Sequence, residues 1–136
     1  MSAEELNGIL REYSKKPYVE STFVMSNFGI PIASTFTDKT DFESLAPLVS
    51  ITYEGAHELA KGSGHNFKQL NVELSNGSRI VVKSLGKSYI LAVQVHKYND
   101  RVRDEIDFLG DRVSKFFHYS ILLSKSSISC ALNSPR

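Results

Sequence analysis

The sequence predicts one α/β domain of the α+β kind: a five-stranded antiparallel sheet with flanking helices, in the order α-β-β-α-β-β-β-α. Two observations carry this. Three segments repeat apolar residues at helical spacing, and five shorter runs between them show strand patterning bounded by glycine, asparagine or proline. The last three strand runs are joined by tight-turn dipeptides, which suit antiparallel neighbours. The 136 residues fit a single core, since compact domains most often run to about 100 to 150 residues.

Taken in order, Ser2 and Glu5 have the spacing of a capping box, and Leu6, Ile9, Leu10 and Tyr13 follow on one helical face, predicting a helix over 3–14. Pro17 then ends it, because a proline disfavours helical geometry in the residue before it. Val19 to Ser26 and Ile30 to Phe36 read as a hairpin around Asn27-Phe28-Gly29, with Pro31 placing the second strand at a sheet edge. Thr40 and Glu43 repeat the capping spacing before a long helix whose core face is read as Leu45, Leu48, Val49, Thr52, Ala56 and Leu59. Pro47 suits only a first turn, so regular helix is expected to begin nearer Ser44 and to end near Gly62. Phe67 to Leu74 alternates as a half-covered strand, Asn76-Gly77 predicts a type I′ turn, and Ser78 to Leu85 is the partner strand. Gly86-Lys87 reverses the chain into Ser88 to Val95, whose unbroken apolar run belongs at the sheet centre. Val102, Ile106, Leu109, Val113 and Phe116 form the last helical stripe, with Asp100 as its cap. The domain is therefore read as residues 1–119, followed by a serine-rich tail, 120–136.

Composition excludes several classes. Sixteen basic against fifteen acidic side chains leave a formal charge of +1, which offers no field for a phosphate backbone and argues against a nucleic-acid partner. One cysteine, Cys130, cannot form an internal disulfide, and Met1 to Glu5 carries acid where a secretory signal would carry base; both predict a cytoplasmic protein. The longest apolar stretches are a few residues, whereas a spanning helix needs about 20, so no direct membrane insertion is expected.

No chemical motif survives inspection. Gly86-Lys87-Ser88 echoes the end of a phosphate-binding loop, but Val81 stands where the first glycine is needed, and the segment joins two strands rather than a strand to a helix. His57-Glu58 begins like a zinc-protease pair, yet Lys61 occupies the second histidine position. His57, His65, His96 and His118 lack ligand spacing, and Cys130 has no neighbouring base. Asn76-Gly77-Ser78 matches a glycosylation acceptor only in a secreted chain. Carboxylates such as Glu4-Glu5 and Asp104-Glu105 sit where helix N-termini favour acid. These readings predict no catalytic residue, no metal and no cofactor.

One feature asks for a partner. Away from its predicted core face, the long helix repeats Pro47, Ile51 and Gly55 every four residues, with Glu54 and Glu58 beside them. Glycine inside a helix costs about 1 kcal/mol relative to alanine, a cost that close approach by another helix would offset; the alternative is that Ile51 is one exposed aliphatic, normal on a protein surface, and that Gly55 is simply tolerated. The strand from Phe67 to Leu74, as an edge, also presents unpaired amides. A two-fold dimer joining these strands and crossing these helices answers both.

Over roughly residues 3 to 118 the chain resembles the roadblock / dynein light chain family, a relative of the longin fold. The carriers are Phe28-Gly29-Ile30-Pro31-Ile32-Ala33-Ser34, similar to the family's glycine, proline and Ala-Ser signature between its first two strands, then the long helix, the Gly62 to Gly64 loop and the three-strand meander. Pro47 and the serine-rich extension depart from the family pattern. The resemblance implies a non-enzymatic homodimer or heterodimer, with third strands paired and second helices side by side, acting as a scaffold or activating partner of a small Ras-like GTPase. By position it implies dimer contacts at Pro47, Ile51 and Gly55, and along the strand at Gln69, Leu70, Asn71, Val72 and Glu73. Glu54, Glu58 and Lys61 become candidate GTPase contacts. Two alternatives stand beside it: an accessory subunit of a motor complex, and a PAS-like small-molecule sensor, which requires an internal cavity.

Overall fold

The apolar periods become eight elements: α1 (Ala3–Ser14), β1 (Val19–Ser26), β2 (Pro31–Ser34), α2 (Lys39–Gly62), β3 (Gln69–Glu73), β4 (Arg79–Leu85), β5 (Tyr89–Val95) and α3 (Asp100–Asn133). The computed structural model describes residues 3–36 and 39–133, with side chains for 4–36 and 41–118. The Ser2 cap and residues 134–136 of the serine-rich segment fall outside the described residues.

The strands form one antiparallel sheet in the order β2-β1-β5-β4-β3. β5 is central, as its unbroken apolar run requires, and β2, opening at Pro31, is an edge. The sheet separates two cores. On one face Leu6, Leu10 and Tyr13 of α1 and Val102, Ile106, Leu109 and Val113 of α3 pack on Val24, Val81, Leu91 and Val93. On the other, Phe42 and Ala46 of α2 pack on Phe23, Met25, Val82, Ile90 and Ala92. Burying each Val, Leu, Ile, Phe or Met among them stabilises by about 1.5–3 kcal/mol.

Several local expectations change. α2 begins at Lys39 rather than near Ser44 and carries Pro47 in its interior. The β1–β2 turn docks against that point: Gly29, at φ +85°, lies so near that an added Cβ would be 2.9 Å from the Pro47 Cα. Ser50 Oγ there donates 2.7 Å to the Asn27 carbonyl. The Asn76-Gly77 turn is not type I′, because only Gly77 has positive φ. Gly77 N donates to Leu74 O, and Leu74 N donates to Ser78 O. This is the three-residue loop in which a type I turn is followed by a left-handed glycine. α3 is capped by Asn99, whose Oδ1 accepts from Val102 N at 2.9 Å, rather than by Asp100. Among the described side chains its buried stripe reaches Phe117, with Phe116 half-buried, and its backbone stays helical through Asn133, beyond the stop expected before Tyr119. Serine is only a modest helix-breaker, and no glycine or proline interrupts 119–133.

Candidate partner-binding surface

The core selects a different face of α2 from the one the leucines suggest. Phe42, Ala46 and Ser50 are buried, with Val49 and Tyr53 half-buried beside them. Leu48, Ile51 and Leu59 turn outward, 59%, 71% and 74% exposed, and Leu45 and Thr52 are exposed as well. Of the predicted core face only Val49 and Ala56 are partly covered. The physical reason is position: where α2 crosses β1 and β2, the sheet offers Phe23 to an aromatic face. The Phe23, Phe36 and Phe42 rings meet there, with Phe23 5.3 Å from Phe36 and 5.7 Å from Phe42.

The outward leucines complete the strip that sequence reasoning half identified. Helical spacing puts Leu48, Ile51, Gly55 and Leu59 on one side, and a Cβ added at Gly55 meets nothing within 4 Å. Pro47 is exposed too, although its backbone is occupied by the β1–β2 turn. Leu48 and Leu59 were the residues missed. The available signal was that the helix has more large apolar residues than one face can bury.

Glu54, Glu58 and Lys61 are exposed on the flank of this strip. Glu54 also lines a cleft of about 310 Å³ with Asn27, His57 and Lys87, against the β4–β5 turn. The far end of α2 reaches β3 through aromatic rings: Phe67 lies edge-on to Tyr53, centroids 4.9 Å apart. β3 pairs with β4 on one side, and its other side meets no strand among the described residues. Its residues divide by face. Leu70 joins the α2-side core and Val72 is half-buried, whereas Gln69, Asn71 and Glu73 alternate to the α1/α3 face. Gln69 Nε2 donates there to the Tyr98 hydroxyl at 3.2 Å, so it has an internal partner, while Asn71 and Glu73 are exposed. The structure thus gathers Ile51, Gly55, Leu70 and Val72 on the α2 side and leaves the other three strand residues on the opposite face.

Among the described residues no group of three or more His, Cys, Asp or Glu could hold a metal ion, and no helix is long and apolar enough to cross a membrane. Among the described residues Tyr13 is the titratable group that departs clearly from its ordinary value: burial, and after it the Glu105 carboxylate, push its phenol upward.

Known proteins agree with this architecture. The family profile described as the Roadblock/LC7 domain matches residues 6–95. A Roadblock/LC7 domain from Streptomyces avermitilis is 20% identical, covering 82% of this chain and 97% of its own, with a TM-score of 0.74. MglB of Myxococcus xanthus is 23% identical over 85% of this chain and 96% of its own, with a TM-score of 0.75. An MglB with a tetrameric arrangement is 16% identical over 82% and 84%, with a TM-score of 0.67. At such identities the likeness is one of fold. No curated protein matches in sequence.

Proposed function

The chain belongs to the Roadblock/LC7 domain family, and on that premise we propose that it is a non-enzymatic, self-pairing platform for a small Ras-like GTPase. The observation that carries the reading is the outward strip of α2, Leu48, Ile51, Gly55 and Leu59, beside the open edge of β3. Stable interfaces bury about 800 Å² on each partner, more than one helix strip supplies, and the strand edge adds the backbone hydrogen bonds.

A two-fold axis that pairs β3 with β3 antiparallel also sets the two α2 helices antiparallel. With Gly55 at the crossing, Ile51 and Leu59, each four residues away, meet across the axis. Light scattering is expected to give twice the single-chain mass, and Gly55→Leu to return it to one. In a Cys130→Ser background, Gly55→Cys is expected to cross-link to itself. A chain that stays monomeric at several hundred micromolar overturns self-pairing.

The family resemblance supplies the GTPase. Glu54, Glu58 and Lys61 would contact it, so Glu54→Lys with Glu58→Lys should weaken binding without changing the mass of the dimer. Arg101 pairs with Glu105, Arg103 with Asp100 and Asp104, and Arg112 with Glu12, while Arg79 stacks on Tyr98. All four belong to the α1/α3 side or its margin, away from α2. This favours a platform that orders the GTPase's own catalytic groups over one that inserts an arginine. Replacing all four and measuring GTP hydrolysis tests it: lost stimulation with intact binding reverses the conclusion.

A further inference from the structure

We propose that the cleft between α1 and α3, on the sheet face opposite α2, is a second docking site, and that it takes a segment of another protein with a carboxylate set beside an apolar side chain. The cleft measures about 760 Å³, a size ordinary for a binding pocket of roughly 300–1,000 Å³. Its floor is Tyr13 and Leu109, and Phe108 stands at its side 66% exposed. A single exposed aromatic is unremarkable on a surface. This one adjoins an apolar floor and so extends it.

The charges decide what fits. At the C-terminal end of α1, Lys16 and Arg101 converge on one carboxylate, Glu105, and Lys15 lines the same cleft. Lys16 Nζ and Arg101 Nε both approach the same oxygen, Oε1, at 3.6 and 3.4 Å. The lining as a whole carries four cations, Lys15, Lys16, Arg101 and Arg112, against three anions, Glu12, Asp104 and Glu105, and Lys15 enters no ion pair among the described residues. Arg112 and Glu12 neutralise each other, 3.4 Å apart, and Asp104 lies 3.5 Å from Arg103. An incoming carboxylate is therefore drawn to the Lys15 end. The ligand so described carries an acid and an apolar side chain for Phe108.

The site lies across the sheet from the α2 strip and does not depend on self-pairing, so the two ideas fail separately. The full chain is titrated, by two-dimensional amide NMR, with capped octapeptides that set Asp or Glu beside Leu or Phe, and with counterparts carrying Lys in place of the acids. The acidic set is expected to shift amides at Lys15, Lys16, Arg101 and Phe108 and to bind at least about tenfold more tightly than the lysine set. Phe108→Ala and Lys15→Glu are each expected to weaken binding about tenfold, with folding and light-scattering mass unchanged. Equal binding of the two sets, shifts confined to α2 and β3, or no shift at millimolar peptide overturns the proposal.

Discussion

Replacing Gly29 by alanine tests whether the β1–β2 turn is held by its approach to α2. Two costs add. The backbone at φ +85° is one that alanine occupies at a cost of roughly 1–2 kcal/mol. The new Cβ would lie 2.9 Å from the Pro47 Cα and 3.3 Å from both the Pro47 N and the Ser50 Cβ. Forcing apart such packed atoms costs about 1–3 kcal/mol, and because two of the three are backbone, Pro47→Ala does not relieve them. The expected loss is about 2–5 kcal/mol. Gly77→Ala is the control: φ is +87° there, but nothing stands within 4 Å of the added Cβ. Any gain from a less flexible unfolded chain is common to both variants and cancels. Urea unfolding followed by far-ultraviolet dichroism, at one protein concentration so that the proposed self-pairing would weigh equally on both variants, gives the difference. Gly29→Ala should be the worse by about 1–3 kcal/mol. Equal losses would refute the contact.

Ser50→Ala removes the 2.7 Å hydrogen bond to the Asn27 carbonyl and should cost about 1–3 kcal/mol by the same unfolding measurement; a loss within error means the turn is held otherwise. Tyr13 is protonated in the fold at a pH where the unfolded chain, with an ordinary phenol near 10.0, has begun to release its proton. Its contribution is therefore complete below pH 10 and is lost as the pH rises above it. Thermal melts from about pH 8 to pH 11 should fall more steeply for the wild type than for Tyr13→Phe, and parallel slopes would remove the argument. Lys83→Met breaks the ion pair with Asp107, whose carboxylate is 42% exposed, and should cost less than about 1 kcal/mol in urea; a larger loss would mean the pair is buried in solution. Ile51→Asp should keep the helical dichroism of the wild type while halving the light-scattering mass, since Ile51 touches little within its own subunit.

Element order and strand placement were legible because each rests on local chemistry. Pro31 blunts a strand wherever it lies, and the run Tyr89 to Val93 has no polar residue to offer solvent. The face of α2 was not legible. Apolar residues surround much of its circumference, from Phe42 and Ala46 to Leu48, Ile51 and Leu59, so periodicity alone cannot choose a side. The choice is made by Phe23 and Met25 across the chain, which no local window contains. Pro47 misled for a related reason, because the rule against interior proline is local while the packing of Gly29 upon it is tertiary. The cleft between α1 and α3 escaped altogether: Lys16 and Glu105 are 89 positions apart, and only the fold makes them neighbours.

The two edges of the sheet are built differently, and the difference bears on how such a domain is used. β2 is four residues long, begins with a proline and pairs with β1 through a register shift between Val24 and Met25, all devices that keep a foreign strand from adding to it. β3 has none of them. It runs Gln69-Leu70-Asn71-Val72-Glu73 in unbroken register with β4, without proline or bulge, and Leu70 and Val72 remain only half-buried on its α2 side. An edge left open beside an uncovered apolar helix strip invites indiscriminate strand addition unless a defined partner occupies it. A second copy meets that requirement with groups already present: an identical edge to pair with, and an identical strip to cover. In the proposed pair growth would stop, because the edges left outermost would be the two blunted β2 strands.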